Sequence, residues 1–191
     1  MKLGLMEFIH DVLNKRYRFR QAMGGVFGAF LVVLAQPNWW GFIVGLALVL
    51  AGALVRLWAA GHVRKNEALE THGPYGFVRH PQYLGNCLIA VGWCLACGHL
   101  WAVCIWAAIF YLFYIPAVRR EDDKLRRRFG EAWDRWHERT PAVVPTHWRA
   151  ADPDARPAGW SPLQAIRNGE PIWLFLMVVG LLVIYVRLRL T

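Results

Sequence analysis

The sequence predicts an all-α fold, a polytopic membrane helical bundle of about five transmembrane helices with cytoplasmic amphipathic helices. Three observations carry this. Of 191 residues, 57% are hydrophobic, and the mean hydropathy is +0.27, too apolar for an ordinary water-soluble domain. The apolar residues fall into long runs separated by short turns or charged stretches. Eleven Trp and ten Phe suit the interfacial belts where amphipathic rings sit at headgroup level. The length fits one membrane domain over residues 1–191. It divides into an N-terminal helical hairpin at 19–60, a core at 73–145 and an additional C-terminal span at 171–188.

In chain order, an amphipathic run from Leu3 to Leu13 ends in the basic cluster Lys15, Arg16, Arg18 and Arg20, as in a short interfacial helix. No small-residue cleavage site precedes the first span, so no cleavable signal peptide is expected. Span one covers 19–35 and span two runs from Trp39 to Ala60. Small-residue steps, Gly24 to Gly28 and Gly41 to Gly45, predict that these two spans form a close hairpin. Arg56 lies about one turn from the cytoplasmic end of span two, where it is expected to snorkel. The polar stretch from His62 to His72 suits a cytoplasmic loop.

Span three starts at Pro81, whose missing N–H costs nothing in a first helical turn, and runs to Cys97. Gly98-His99 turns, and span four takes Leu100 to Val118. The outer turns, 36–38 and 98–99, carry no Lys, Arg, Asp or Glu, which predicts an inside N-terminus. Helix continues to Gly130 as a C-cap. A second amphipathic helix follows at 131–139, with Trp133 and Trp136 on one face, and Pro141 and Pro145 end it. Residues 149–162 have the composition of a linker. Span five, 171–188, places Arg187 and Arg189 outside, against the positive-inside rule.

The net charge of +9, from 22 basic and 13 acidic residues, fits inner loops and anionic lipids. Nucleic-acid binding is not expected, because the spans divide the basic residues. Cys87, Cys94, Cys97 and Cys104 share one helical face by spacing, but no second ligand pair flanks them. They are expected to pack as small apolar residues, with no metal site.

The chemistry concentrates in Gly73-Pro-Tyr-Gly-Phe-Val-Arg79-His80-Pro81-Gln-Tyr83-Leu-Gly85. Gly73-Pro74 makes a turn. Tyr75 and Phe77 offer rings for a planar group, and Arg79 and His80 offer donors to carboxylate or hydroxyl groups. The N-terminus of span three adds backbone N–H groups and a positive dipole end. Such a set suits a ligand with a flat base, hydroxyls and a carboxylate, although an interfacial belt is equally compatible with the residue types. A second cluster, Glu121-Asp122-Asp123, follows the helical hairpin. Glu121 shares a face with Leu125, and Asp122 points about 100° away.

The double pattern, Gly-Pro-Tyr…Val-Arg-His-Pro-x-Tyr-Leu-Gly and then Glu-Asp-x-x-Leu…Phe-Gly…Trp…Trp…Pro…Val-Pro, covers Gly73 to Pro145. It resembles the integral-membrane methyltransferases of the isoprenylcysteine carboxyl methyltransferase and phospholipid methyltransferase superfamily. The resemblance implies S-adenosylmethionine as cofactor, entering from the cytosol, and a lipophilic acceptor entering from the bilayer. It places Tyr75, Val78, Arg79, His80, Pro81, Tyr83, Gly85 and Glu121 at the cofactor, with His80, Glu121 and Arg120 as candidate catalytic residues. Phe129-Gly130 and Trp133 would fold the following helix over the site as a cover. A bacterial or archaeal inner membrane, with the site on the cytoplasmic side, is the implied location.

One departure concerns the acceptor. Eukaryotic isoprenylcysteine enzymes place an arginine one turn before the glutamate, and Ala117 stands there in this chain. A phospholipid amine is therefore as suitable an acceptor as a prenylcysteine carboxylate. Membrane sterol reductases, which use NADPH and are longer, resemble the C-terminal part of the pattern and supply a second reading. A non-enzymatic lipid-binding scaffold is a third.

Overall fold

The computed structural model describes residues 25–64, 68–146 and 159–190. The expected interfacial helix at 1–20, Gly24 and most of the linker at 149–162 lie outside the described residues. The elements are α1 (Gly25–Leu34), α2 (Trp39–His62), a 3₁₀ turn (Gly73–Gly76), α3 (Pro81–Ala96), α4 (Trp101–Ile109), a π turn (Phe110–Tyr114), α5 (Ile115–Phe129), α6 (Glu131–Arg139), α7 (Pro162–Arg167) and α8 (Glu170–Leu190). Among the described residues there is no strand. The protein is an all-α integral membrane bundle.

Among the described residues, three helices are long and apolar enough to cross a membrane: Trp39–His62, the continuous helix Trp101–Phe129, and Trp173–Leu190. Span one, expected at 19–35, lies partly outside the described residues. The 16 residues of α3 rise only about 24 Å, less than the ~30 Å of a bilayer core. The described part of α1 is also short.

The small residues of α2, expected to pack on span one, face α3. A Cβ on Gly52 would lie 2.6 Å from the Gly85 carbonyl oxygen, and one on Gly92 the same distance from the Gly45 carbonyl oxygen. Gly41 approaches the Leu95 carbonyl oxygen, where a Cβ would stand at 2.7 Å. Backbone-to-backbone approach maximises dispersion where lipid supplies no hydrophobic drive between helices. Gly25 and Gly28 of α1, in contrast, face open space.

Pro116 sits in the first turn of α5, where its ring would clash with the carbonyl four residues back in a regular α-helix. The five-residue π turn immediately before it, Phe110–Tyr114, absorbs that mismatch without breaking the helix. Gly130, at φ +53°, ends α5 as expected, and α6 follows at once.

At one end of the bundle the turns after α1 and α3 meet. Gln36 N donates to the Cys97 carbonyl at 2.9 Å, and His99 Nε2 donates to the Leu34 carbonyl at 2.9 Å. Arg187 of α8 donates to the Val32 and Val33 carbonyls at 3.0 and 2.7 Å. It thus fills acceptors that the end of α1 leaves open, a local reason for a cation where the loop-charge rule disfavours one. A core of Leu31, Ala35, Phe42, Cys94, Cys97, Trp106, Ile184 and Leu188 fills the space between these helices. Cys94 and Cys97 pack within it.

The opposite end gathers the C-terminus of α2, the N-termini of α3 and α8, and the charged end of α5. Here Arg56 does not snorkel. Its Nη2 lies 2.8 Å from Glu170 Oε1, its Nε 3.1 Å from Glu170 Oε2, and its Nη1 donates to Asn86. Glu170 opens α8, and its side chain is 4% exposed. An unpaired carboxylate buried to that degree would be costly, so the arginine turns inward to meet it.

Candidate functional site at the charged end of the bundle

The segment between the polar loop and α3 folds as a 3₁₀ turn because Gly73 takes φ +56° and Pro74 fixes the next residue. Gly73 also lies against the His62 ring, where a Cβ would stand 2.7 Å from Nε2. Arg79 and His80 then lead into α3. Their N–H groups donate to the carbonyls of Pro141 and Ala142 at 2.8 and 2.9 Å. The strap after α6 is thereby fixed to the entrance of α3. The His80 carbonyl accepts from Tyr83 N and Leu84 N, which starts the helix.

α6 folds back over this segment through an apolar cluster of Ala59, Tyr75, Trp133 and Trp136, packed against Val63, Leu69, Leu125 and Phe129. Trp136 Nε1 donates to the Tyr75 carbonyl at 3.1 Å. Phe129 and Trp133 form part of the apolar face by which α6 packs on this segment.

The α5 carboxylates approach from the other side. Asp122 receives Arg79 through Nη2 at 2.9 Å and Nε at 3.3 Å, and His80 Nε2 at 2.9 Å. Arg79 Nη1 donates to the Thr140 carbonyl and, at 3.4 Å, to that of His137. The guanidinium is thus committed within the chain. Glu121 lies 3.7 Å from His80 Nδ1 with its side chain 49% exposed. His80, buried at 4% side-chain exposure, stands between two carboxylates, one structural and one open.

The charged end of α5 from Arg119 onward projects beyond the apolar stretch. Burial alone would raise the Asp122 carboxyl, but hydrogen bonds from His80 and Arg79 outweigh it and hold the group down at about 2. Burial pushes the Tyr75 hydroxyl up, and Glu121, Glu70 and Glu170 push it further, so Tyr75 is a neutral donor.

The structure brings together Tyr75, Val78, Arg79, His80, Pro81, Tyr83 and Glu121. Tyr83 lies 5.7 Å ring to ring from His80 and edge-on to Tyr114 at 5.7 Å. Val78 and Pro81 are fully buried beneath the segment. Gly85 is placed elsewhere: it faces α2, where a Cβ would stand 2.6 Å from Arg56 Cγ. Arg120 is exposed on α5. Asp122 is the residue to which the sequence reading gave no role. The spacing of Val118, Asp122, Leu125 and Phe129, at intervals of four, three and four, was the available signal, because it aligns all four on one helical face. Val118 is buried, and Leu125 and Phe129 pack against that apolar cluster.

Part of the chain, including this region, is similar to known proteins of several kinds. Residues 60–147 match the model of the "Ergosterol biosynthesis ERG4/ERG24 family". The chain is 38% identical over 104 residues to the nickel-cobalt-cadmium resistance protein NccN of Alcaligenes xylosoxydans xylosoxydans, covering 53% of this chain and 48% of that one. It is 33% identical over 70 residues to the Delta(14)-sterol reductase LBR of Gallus gallus, 36% of this chain and 11% of that one. It is 26% identical over 99 residues to the protein-S-isoprenylcysteine O-methyltransferase of Schizosaccharomyces pombe, 52% of this chain and 42% of that one. The chain spans about half the length of these relatives or less. No solved structure matches.

Proposed function

We propose that the protein transfers a methyl group from S-adenosylmethionine to a lipophilic acceptor within the membrane, at a site on the cytoplasmic side of a bacterial or archaeal inner membrane. The observation that carries this reading is the division of labour at His80. Asp122 is neutralised by Arg79, whereas Glu121 presents an open negative charge to the same imidazole. An open carboxylate complements the ammonium and ribose hydroxyls of a cationic sulfonium cofactor, and it repels the phosphates of a dinucleotide. The indole N–H of Trp133 is a buried donor with no partner among the described residues, as a site for an acceptor-rich base requires.

The cofactor supplies an activated methyl group on a good leaving group. The chain then has little proton transfer to perform, and its work is alignment and exclusion of water. Glu121 and Tyr75 would hold the polar ends. His80, fixed by Asp122, would orient the group beside it, and α6 would cover the site. The acceptor would be a prenylcysteine-like carboxylate or a phospholipid amine drawn from the bilayer.

A second reading, an NADPH-dependent reductase acting on a sterol-like substrate, is favoured by the family match over 60–147 and by the similarity to the sterol reductase LBR. Calorimetric titration of the purified protein in detergent separates the two. We expect heat on addition of S-adenosylhomocysteine, none with NADPH, and at least a tenfold loss of affinity in Glu121→Gln. Binding of NADPH with no response to S-adenosylhomocysteine overturns the first reading.

A further inference from the structure

A second polar feature lies at the same end of the bundle, built by α7 against the last turn of α2. The C-terminal carbonyls of α2 are satisfied from about a hundred residues away. Trp160 Nε1 donates to Leu57 at 3.3 Å, Asn168 Nδ2 to Ala60 at 2.8 Å, Ser161 N to Gly61 at 3.0 Å and Gln164 Nε2 to Val63 at 3.1 Å. Gly61 is needed for this docking, because a Cβ there would strike the Trp160 ring. The result is a fixed cleft of about 240 Å³, lined by Gly61, Arg64, Ser161, Gln164 and Arg167 with Leu163 and Gly159.

Two features give the cleft a chemical preference. Arg64 and Arg167 both line it, and no carboxylate among the described residues forms an ion pair with either. At its rim, Trp160, Leu163 and Ile166 are 46%, 54% and 59% exposed. These apolar side chains, at intervals of three, lie between the end of one membrane helix and the start of another. That is where an indole and aliphatic chains sit at the boundary of acyl chains and headgroups. Guanidinium groups bind phosphate oxygens in a bidentate fashion and gain from the negative potential of an anionic leaflet.

We infer that the cleft between α2 and α7 binds the phosphate of an anionic membrane phospholipid. Arg64 and Arg167 hold the phosphate, the Ser161 hydroxyl adds a donor, and Leu163 and Ile166 lie along the acyl chains. The site is separate from His80 and Glu121 and does not depend on the methyl-transfer reading.

Native mass spectrometry of the full chain, released from neutral detergent with defined lipid added, tests this. Dioleoylphosphatidylglycerol should be retained at a concentration at least tenfold lower than dioleoylphosphatidylcholine, and inorganic phosphate at equal concentration should not displace it. The double variant R64Q/R167Q should lose that preference by tenfold or more, while R127Q/R139Q, which removes two exposed arginines elsewhere, keeps it. Three results overturn the inference: unchanged retention in R64Q/R167Q, an equal loss in R127Q/R139Q, or displacement by inorganic phosphate. Both target arginines are exposed, so the variant will fold, and its thermal midpoint in detergent should match that of the unmodified protein.

Discussion

Asp122→Asn will destabilise the protein by about 3–5 kcal/mol, whereas Glu121→Gln, one residue earlier, will leave the thermal midpoint nearly unchanged and weaken cofactor binding at least tenfold. The contrast follows from what each carboxylate touches. Asp122 neutralises Arg79, whose side chain is 8% exposed, and also receives His80. Its amide would leave a buried guanidinium without a countercharge. Glu121 is half exposed and lies 3.7 Å from His80 Nδ1, so its loss leaves no buried charge behind. Thermal unfolding in detergent and S-adenosylhomocysteine titration separate the two effects. Equal destabilisation by both substitutions would contradict the assignment.

The same pair sets an acid limit. The Asp122 carboxyl lies at about 2 in the folded protein, below its ordinary value of 3.8. A depressed carboxyl contributes stability that is fully present above about pH 4 and is lost as pH falls toward 2, roughly 2 kcal/mol in all. Acid protonation costs less than the amide substitution. Both leave Arg79 without its countercharge, but the Asn side chain also turns an NH2 donor toward the N–H groups of Arg79 or His80, where the protonated acid keeps two oxygens. The acid-sensitive component between pH 4 and 2 should be absent in Asp122→Asn.

Arg56→Ala or Glu170→Ala will each destabilise the protein by about 3–5 kcal/mol, because either leaves one charge of a buried pair alone. Arg56 also carries Asn86 of α3, so the pair joins α2, α3 and α8 at one point. The double variant Arg56→Leu with Glu170→Leu should recover more than half of the loss, since apolar replacement of a buried pair removes both desolvation costs. A thermal-unfolding cycle over the four proteins measures the coupling. Additive losses in the double variant would show that the pair does not act as a unit.

The sequence exposed the helices, their ends and the site segment for physical reasons that act locally. Pro81 opens α3, Gly130 closes α5, and Trp133 and Trp136 lie one turn apart on α6, as local patterns dictate. Partner choice between helices is not local. The glycines of α2 match those of α3 as well as those of α1, and only three-dimensional packing selects Gly45 against Gly92 and Gly52 against Gly85. Arg56 illustrates the same limit, because its partner is 114 residues away. The choice between Glu121 and Asp122 required knowing which face of α5 meets His80. Pairing Glu121 with Leu125 left the structural role of Asp122 unassigned, whereas the longer line from Val118 to Phe129 identifies it.

The central claim is that the open carboxylate of Glu121, beside a His80 fixed by Asp122, holds a cofactor that methylates a membrane lipid. Membranes containing the protein, incubated with methyl-labelled S-adenosylmethionine and a total lipid extract, test it most directly. Label should enter the organic phase with the unmodified protein, and should fall at least tenfold with Glu121→Gln at matched protein amount. Absence of transferred label from the unmodified protein, or undiminished transfer by Glu121→Gln, would contradict the claim.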